Sequence, residues 1–325
     1  MDDFPVLYDM HCHLGFCPDT ARLARELAAR GIGGFCCTVS PAEYLRVSAC
    51  DLGPLWRCGL GAHPWWATEV DPGQAAELAA TTPFIGEVGL DFGKKNLATR
   101  DRQVENLARI TAAATAGTLL SLHAVRAADT VLDLLERTGA LGRCTCVFHW
   151  YSDSNEALTR ALAAGCYFSV GPLMLRSRRG REYARQLPLD RLLLETDYPS
   201  ESDSSDPAAT AATMSAALHD GLLQLAGLRD TDPVELATSV SATSERLLAL
   251  YLTFFARSYT KTRLSPFLGP RGHLVYEPTG RPRPFVHQSP PPATSGLERA
   301  SHVRTARKCG KRFVHHMAPH RLPNS

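Results

Sequence analysis

Eight short apolar runs recur along the first two hundred residues, and most are followed by a stretch of helical periodicity. The runs are Val6–Met10, Ile32–Val39, Arg57–Leu60, Phe84–Val88, Leu119–Leu122, Cys144–Phe148, Cys166–Val170 and Arg191–Leu194. Each has the length of a strand. Most lack strict apolar/polar alternation, as expected of parallel strands covered on both faces. Between them, Asp19–Gly31, Ala98–Ala116 and Ala127–Thr138 carry apolar residues at helical spacing, and Gly31 supplies a stop signal. Strands alternating with helices imply βαβ units and a parallel sheet. Eight such units in roughly 250 residues match a TIM-type (β/α)8 barrel. The runner-up, an open doubly wound sheet, would want a Gly-rich phosphate loop after the first strand, where this chain has His11-Cys12-His13. The expected class is therefore α/β, a (β/α)8 TIM barrel over residues 1–255, with further helical pattern at Pro207–Leu225 and Pro233–Phe255.

After Ala256 the character changes. Residues 256–325 carry 13 Lys and Arg against 2 Asp and Glu, leaving 22 basic and 31 acidic residues in 1–255. Pro, Arg, His and Ser dominate, with Ser289-Pro290-Pro291-Pro292 near the middle. Such a segment cannot bury enough apolar surface to offset its ordering entropy, so a disordered C-terminal tail is expected. A dispensable extension is favoured over a basic arm for nucleic acid. The acidic body argues against a broad basic face that grips duplex DNA, so any nucleic-acid contact would be local. Of the ten cysteines, Cys36, Cys144, Cys146 and Cys166 fall in strand-like runs and no Cys-x-x-Cys occurs, which reads as free thiols in a reducing compartment. No apolar run approaches membrane-spanning length and the N-terminus lacks a leader pattern. The expectation is a cytoplasmic protein with no membrane association and no obligate protein partner.

Polar residues gather where the strands end. The first run leads into Asp9-Met10-His11-Cys12-His13 and the third into Gly61-Ala62-His63-Pro64. The fourth ends at Glu87, within Gly86-Glu87-Val88-Gly89-Leu90-Asp91; the fifth at His123, the sixth at His149 and the eighth in Glu195-Thr196-Asp197. In a TIM barrel these ends converge on one mouth. His11, His13, His123 and His149 would then share a cavity with Glu87 and Asp197. Imidazole and carboxylate are usual ligands of Zn²⁺, Mn²⁺ and related ions. His11 and His13, two residues apart, lie on one strand face, and Glu87 suits a bridging position. Two ions roughly 3.5–4 Å apart can activate a water and clamp the oxygens of an in-line displacement. Singly, a strand-end His is more often structural, and a strand-end carboxylate more often an N-cap. Six together, in barrel order, are what a metal site predicts.

This joint pattern, with His149-x-x-Ser152, Gln103 and the Leu-Pro-Leu-Asp-Arg-Leu-Leu-Leu run before Glu195, resembles the TatD family of deoxyribonucleases in the amidohydrolase superfamily. The resemblance covers about residues 6–255. It implies two divalent metal ions (Mg²⁺, Mn²⁺ or Zn²⁺), one held by His11, His13, Glu87 and Asp197, the other by Glu87, His123 and His149. It implies phosphodiester hydrolysis from the 3′ end of single-stranded DNA. Asp197 would accept a proton from the attacking water, His63 would touch the substrate phosphate or a metal-bound water, and the departing 3′ oxygen would take its proton from solvent or His63.

Three stretches depart from the family pattern. Arg126 lies three residues after His123 rather than two. His149-Trp150-Tyr151-Ser152-Asp153 replaces the usual His-Cys-Phe-Ser-Gly. An acidic, Ser-rich segment follows Asp197. Arg176, Arg178 and Arg179, after the seventh run, fall at a recurrent phosphate position of such barrels and are candidate substrate contacts, or else a solvated first turn. Lys94-Lys95 follow the fourth run. Trp65, Trp66, Trp150 and Tyr151 belong to mouth loops, where they either stack bases or pack the rim. A metal-dependent amidohydrolase or aminoacyl-tRNA deacylase on the same barrel is the second reading. Many such relatives bridge their metals with a carboxylated Lys on the fourth strand, where this chain has Glu87. A non-enzymatic scaffold acting through the tail is the third; six polar groups in one cavity are costly to keep without a metal.

Overall fold

The computed structural model describes residues 4–201, 205–249, 266–268 and 274–276. Eight strands run β1 (Leu7–Cys12), β2 (Ile32–Cys37), β3 (Trp56–Ala62), β4 (Phe84–Asp91), β5 (Leu119–Val125), β6 (Thr145–His149), β7 (Tyr167–Val170) and β8 (Leu192–Leu194). They lie in sequence order in one sheet, every neighbouring pair parallel. Helices α1 (Thr20–Ala28), α2 (Pro41–Ser48), α3 (Pro72–Ala79), α4 (Arg100–Ala113), α5 (Ala128–Arg137), α6 (Ala140–Arg143), α7 (Asn155–Ala163), α8 (Pro172–Leu175) and α9 (Arg178–Gln186) fill the crossovers. Helices α10 (Pro207–Arg229) and α11 (Pro233–Leu248) follow the last strand. The (β/α)8 expectation holds, and the open doubly wound sheet does not.

Local signals start these helices. Ser40, Asp71, Asp206 and Asp232 each precede a Pro at the first helical turn, and each side chain accepts a backbone N–H there. Pro forfeits only an N–H that the first turn leaves unpaired, while the cap satisfies another.

Two apolar layers form the core. Leu7, Ile85, Leu120, Leu122, Phe148 and Leu194 pack outward against helices. Tyr8, Met10, Phe35, Phe84, Leu119, Val147 and Leu193 pack on one another inside the ring, joined by Leu247 and Leu248 of α11. With side chains alternating along a strand, the inner face of β5 runs Leu119, Ser121, His123, and that of β6 runs Val147, His149. The interior thus changes from apolar at one end to polar at the mouth.

Closure between β8 and β1 uses the chain just past β8. Asp197 N donates to His11 O at 2.9 Å and His13 N to Tyr198 O at 2.8 Å. Asp9 accepts from Thr196 N at 3.0 Å and Thr196 Oγ1 at 2.5 Å.

Strand ends differ from the sequence expectation. β4 does not end at Glu87 but continues to Asp91, and β5 continues past His123 to Val125. Apolar runs stop early because the inner positions near the mouth are polar, not because the strand does. Leu248 closes α11, and the rest of the expected Pro233–Phe255 helix lies outside the described residues. So do the 255/256 boundary and the expected disorder beyond it, except that β9 (Pro266–Leu268) and β10 (Leu274–Tyr276) pair antiparallel.

Candidate metal centre

Glu87 stands at the centre of the polar mouth, 2 % exposed. The β4 register shifts against both neighbours around it, and the Gly86–Glu87 peptide is cis. Two residues on, Gly89 (φ 154°) lies against β5, where a Cβ would collide with the His123 carbonyl. The glycines around Glu87 therefore let its strand lie close to the one carrying His123.

The two oxygens of Glu87 face different imidazoles. Oε2 is 3.3 Å from both His11 Nε2 and His13 Nε2. Asp197 Oδ1 faces the same two nitrogens at 3.6 and 3.2 Å. Oε1 is 2.5 Å from His123 Nδ1, 2.8 Å from His149 Nε2 and 3.2 Å from His63 Nε2. His123 Nδ1 and His149 Nε2 are only 3.3 Å apart, and the His11 and His149 rings stack at 3.8 Å. Donor atoms of His11–His13–Asp197, of His11–Glu87–His149 and of His63–Glu87–His123 each lie within 4.8 Å of one another.

The donor set suits metal ions. His11 Nδ1 pairs with Ser121 Oγ at 2.7 Å, while its Nε2 is buried without a hydrogen bond and faces the carboxylates. A proton on Nδ1 leaves that Nε2 lone pair for a cation, the arrangement common in metal-bound histidines. His63 differs. Its Nδ1 accepts Trp65 N–H at 3.1 Å, which puts the proton on Nε2. Distance alone would admit His63 as a ligand, but this tautomer makes it a donor.

Electrostatics divide the buried carboxyls into two kinds. Burial favours the neutral form of each. At Glu87 the surrounding His63, His149, His11 and His123 overcome it and hold the pKa well below the usual range. At Asp197 the hydrogen bond from His13, with His149 and His11 nearby, outweighs burial and lowers the pKa. Burial wins at Asp9, pushed up to about 7, and at Glu195, pushed well above the ordinary value with help from Asp197. Burial opposes the charged form of His123, yet Glu87 beside it carries the pKa to about 9. Burial lowers His11 to about 4 and also lowers His63.

All six expected ligands come together here, with His63 beside them. Arg176, Arg178 and Arg179 do not join the cluster: they are exposed on the segment after β7, and the Arg178 and Arg179 guanidinium groups make no hydrogen bond or ion pair among the described residues. These two line a shallow surface depression with Asn155 and Glu182. Arg126 is exposed at φ 54°.

The sequence motifs contain Asp9, Asp91 and Glu195 without assigning them a role, and they leave Ser121 out. Ser121 orients His11. Asp91 accepts from Trp65 Nε1, Asn96 Nδ2 and Gly93 N, and stands 3.7 Å from His123 Nε2. Glu195 accepts from Ser169 Oγ and Trp150 N, with its Oε2 3.9 Å from His149 Nδ1. Asp9 and Glu195 each precede a candidate ligand by two residues, a spacing that could have flagged them; Ser121 carries no such signal.

Comparison with known proteins gives one consistent result. The model of the TatD-related DNase family matches residues 8–249. The 3′-5′ ssDNA/RNA exonuclease TatD of Citrobacter rodentium is 30% identical over 208 residues, 59% of this chain and 76% of the relative. Human deoxyribonuclease TATDN3 is 26% identical over 219 residues, 60% of this chain and 78% of the relative. The crystal structure of a TatD homologue from Escherichia coli, 24% identical, superposes with a TM-score of 0.57 over 74% of this chain and 97% of that one, a likeness of fold. Among the described residues no helix is long and apolar enough to cross a membrane.

Proposed function

The chain belongs to the TatD-related DNase family, and from that premise we propose that this metal-dependent hydrolase removes nucleotides from the 3′ end of single-stranded DNA. The supporting observation is one carboxylate, Glu87, whose two oxygens face separate sets of imidazole nitrogens. That is the arrangement a bridge between two cations requires.

We assign His11, His13, Glu87 and Asp197 to one ion and Glu87, His123 and His149 to the other. Four imidazoles favour Zn²⁺ or Mn²⁺ as isolated, with Mg²⁺ serving in vitro. Such ions, when bound, supply an activated water and neutralise charge on the phosphoryl oxygens.

The chain's own residues do the rest. Asp197 is the most exposed of the six, its side chain 19% accessible against at most 9% for the others. Held ionised, it is the group that takes a proton from the incoming water. His63 offers an Nε2–H from a neutral ring and serves the leaving 3′ oxygen or a phosphoryl oxygen. Arg176, Arg178 and Arg179 are positioned in sequence to pair with phosphates further along the strand.

The test is nucleotide release from a 3′-labelled single-stranded oligonucleotide with Mg²⁺ or Mn²⁺, wild type beside Glu87→Ala. Release is expected from wild type, abolished by EDTA and reduced about a hundredfold or more by the substitution. No release from folded, metal-loaded protein would sink the nuclease assignment and direct the search to amide, ester and aminoacyl-tRNA substrates.

A further inference from the structure

Resting on the nuclease reading, we propose that Trp65 and Trp150 are stacking platforms for the unpaired bases beside the scissile phosphate, and that they make the protein selective for single-stranded ends. The sequence places four aromatics at the mouth, and the structure separates them. Tyr151 is fully buried and packs against Phe148, Phe168 and Tyr183, and Trp66 is half-buried. Trp65 and Trp150 remain 41% and 38% exposed. The other large apolar side chains so exposed among the described residues are five aliphatic ones, Leu45, Leu97, Leu189, Leu223 and Val234. The two exposed indoles thus both adjoin the histidine cluster, one two residues after His63 and one directly after His149.

Barrel order sets them on either side of the chemistry. Strands β4 and β5, which carry Glu87 and His123, lie between β3 and β6. Trp65 follows β3 and Trp150 follows β6, so the indoles flank that sector. Both are anchored. The Trp65 ring lies 5.0 Å from His63 and 6.5 Å from His123, and its Nε1 donates to Asp91 at 2.7 Å. Trp150 takes φ 38°, a conformation that costs a bulky residue, with its N–H held by Glu195 at 3.0 Å. A rim residue that only packed would bury its ring as Tyr151 does.

Stacking on an aromatic ring accepts any base, since each has a π-face. It requires a base released from its own helix. The occupant that fits two exposed indoles beside a phosphodiester site is therefore a frayed or single-stranded terminus.

The experiment compares kcat/KM on a 3′-labelled oligonucleotide with that on the same strand ending in two abasic tetrahydrofuran residues. For wild type we expect a ratio of about a hundred, the worth of two base–aromatic stacks at about tenfold each. Trp150→Asn suits the left-handed backbone and removes one of the two rings; it should bring the ratio down to about ten, the worth of the stack left on Trp65, and narrow the preference for single-stranded over blunt duplex ends. Trp150→Phe keeps a stacking face and should keep most of the ratio. An unaltered ratio in Trp150→Asn, including one where both rates fall together, overturns the proposal, as does a wild-type ratio near one. Wild type that cleaves neither strand refutes the nuclease reading itself, and the inference falls with it.

Discussion

At the scale of single residues, the mouth is an assembly of charges that burial alone would neutralise. Protons and metal ions compete for the same nitrogens there. In the metal-free protein the His123 imidazolium pairs with Glu87 and its pKa rises from 6.5 to about 9. A raised histidine pKa stabilises the fold fully below 6.5, and that contribution is lost as pH climbs through about 9. Metal binding needs the neutral ring and must expel the proton, so affinity should rise with pH across the same window. The expected outcome is a Zn²⁺- or Mn²⁺-induced gain in Tm larger at pH 8.5 than at pH 6.5, with proton release seen by calorimetry in two buffers of different ionisation enthalpy. A gain independent of pH would show that His123 carries no proton for the metal to displace. Ser121 acts at this scale too, its hydroxyl 2.7 Å from His11 Nδ1 holding that ring, while Asp91 and Glu195 set carboxyls 3.7 and 3.9 Å from His123 Nε2 and His149 Nδ1.

At the scale of elements, the site depends on how closely β4 lies against its neighbours. Gly89 adopts φ 154° with its α-carbon against the His123 carbonyl. An alanine there meets backbone on one side and a disfavoured conformation on the other. Gly89→Ala should cost about 2–4 kcal/mol in urea unfolding and lower metal content, because the strand can relieve the clash only by moving Glu87. Unchanged stability would show that β4 has slack there. The elements themselves were readable. Runs such as Phe84–Val88 and Leu119–Leu122 identified β4 and β5, and the cap-plus-Pro pairs mark helix starts. Their ends were not, because Glu87, Asp91 and His123 are polar residues facing inward. Apolar patterning assumes an apolar interior and breaks down where the interior is a reaction site.

At the scale of the whole molecule, the matched family span, residues 8–249, holds every candidate ligand. Truncation after Ala256 should leave metal content and kcat/KM within about twofold of the full chain, measured on the same 3′-labelled strand. A loss of strand binding that salt reproduces would instead give the basic tail a role in holding substrate. The acidic body adds a constraint: the net charge of residues 1–255 opposes a polyanion, so any phosphate would have to be drawn in by local positive charge at the mouth.

The sequence by itself determined the barrel, its strand order and the six polar side chains that meet at its mouth, because period and strand-end placement are local properties of the chain. Tertiary structure decided the rest. His63 differs from its neighbours through a hydrogen bond from Trp65 N. Asp9 and Glu195 differ from Glu87 and Asp197 only by what surrounds each carboxyl. Ser121 meets His11 across 110 residues. A proton's position and a carboxyl's charge are set by groups brought close in space, and one-dimensional spacing holds no record of that proximity.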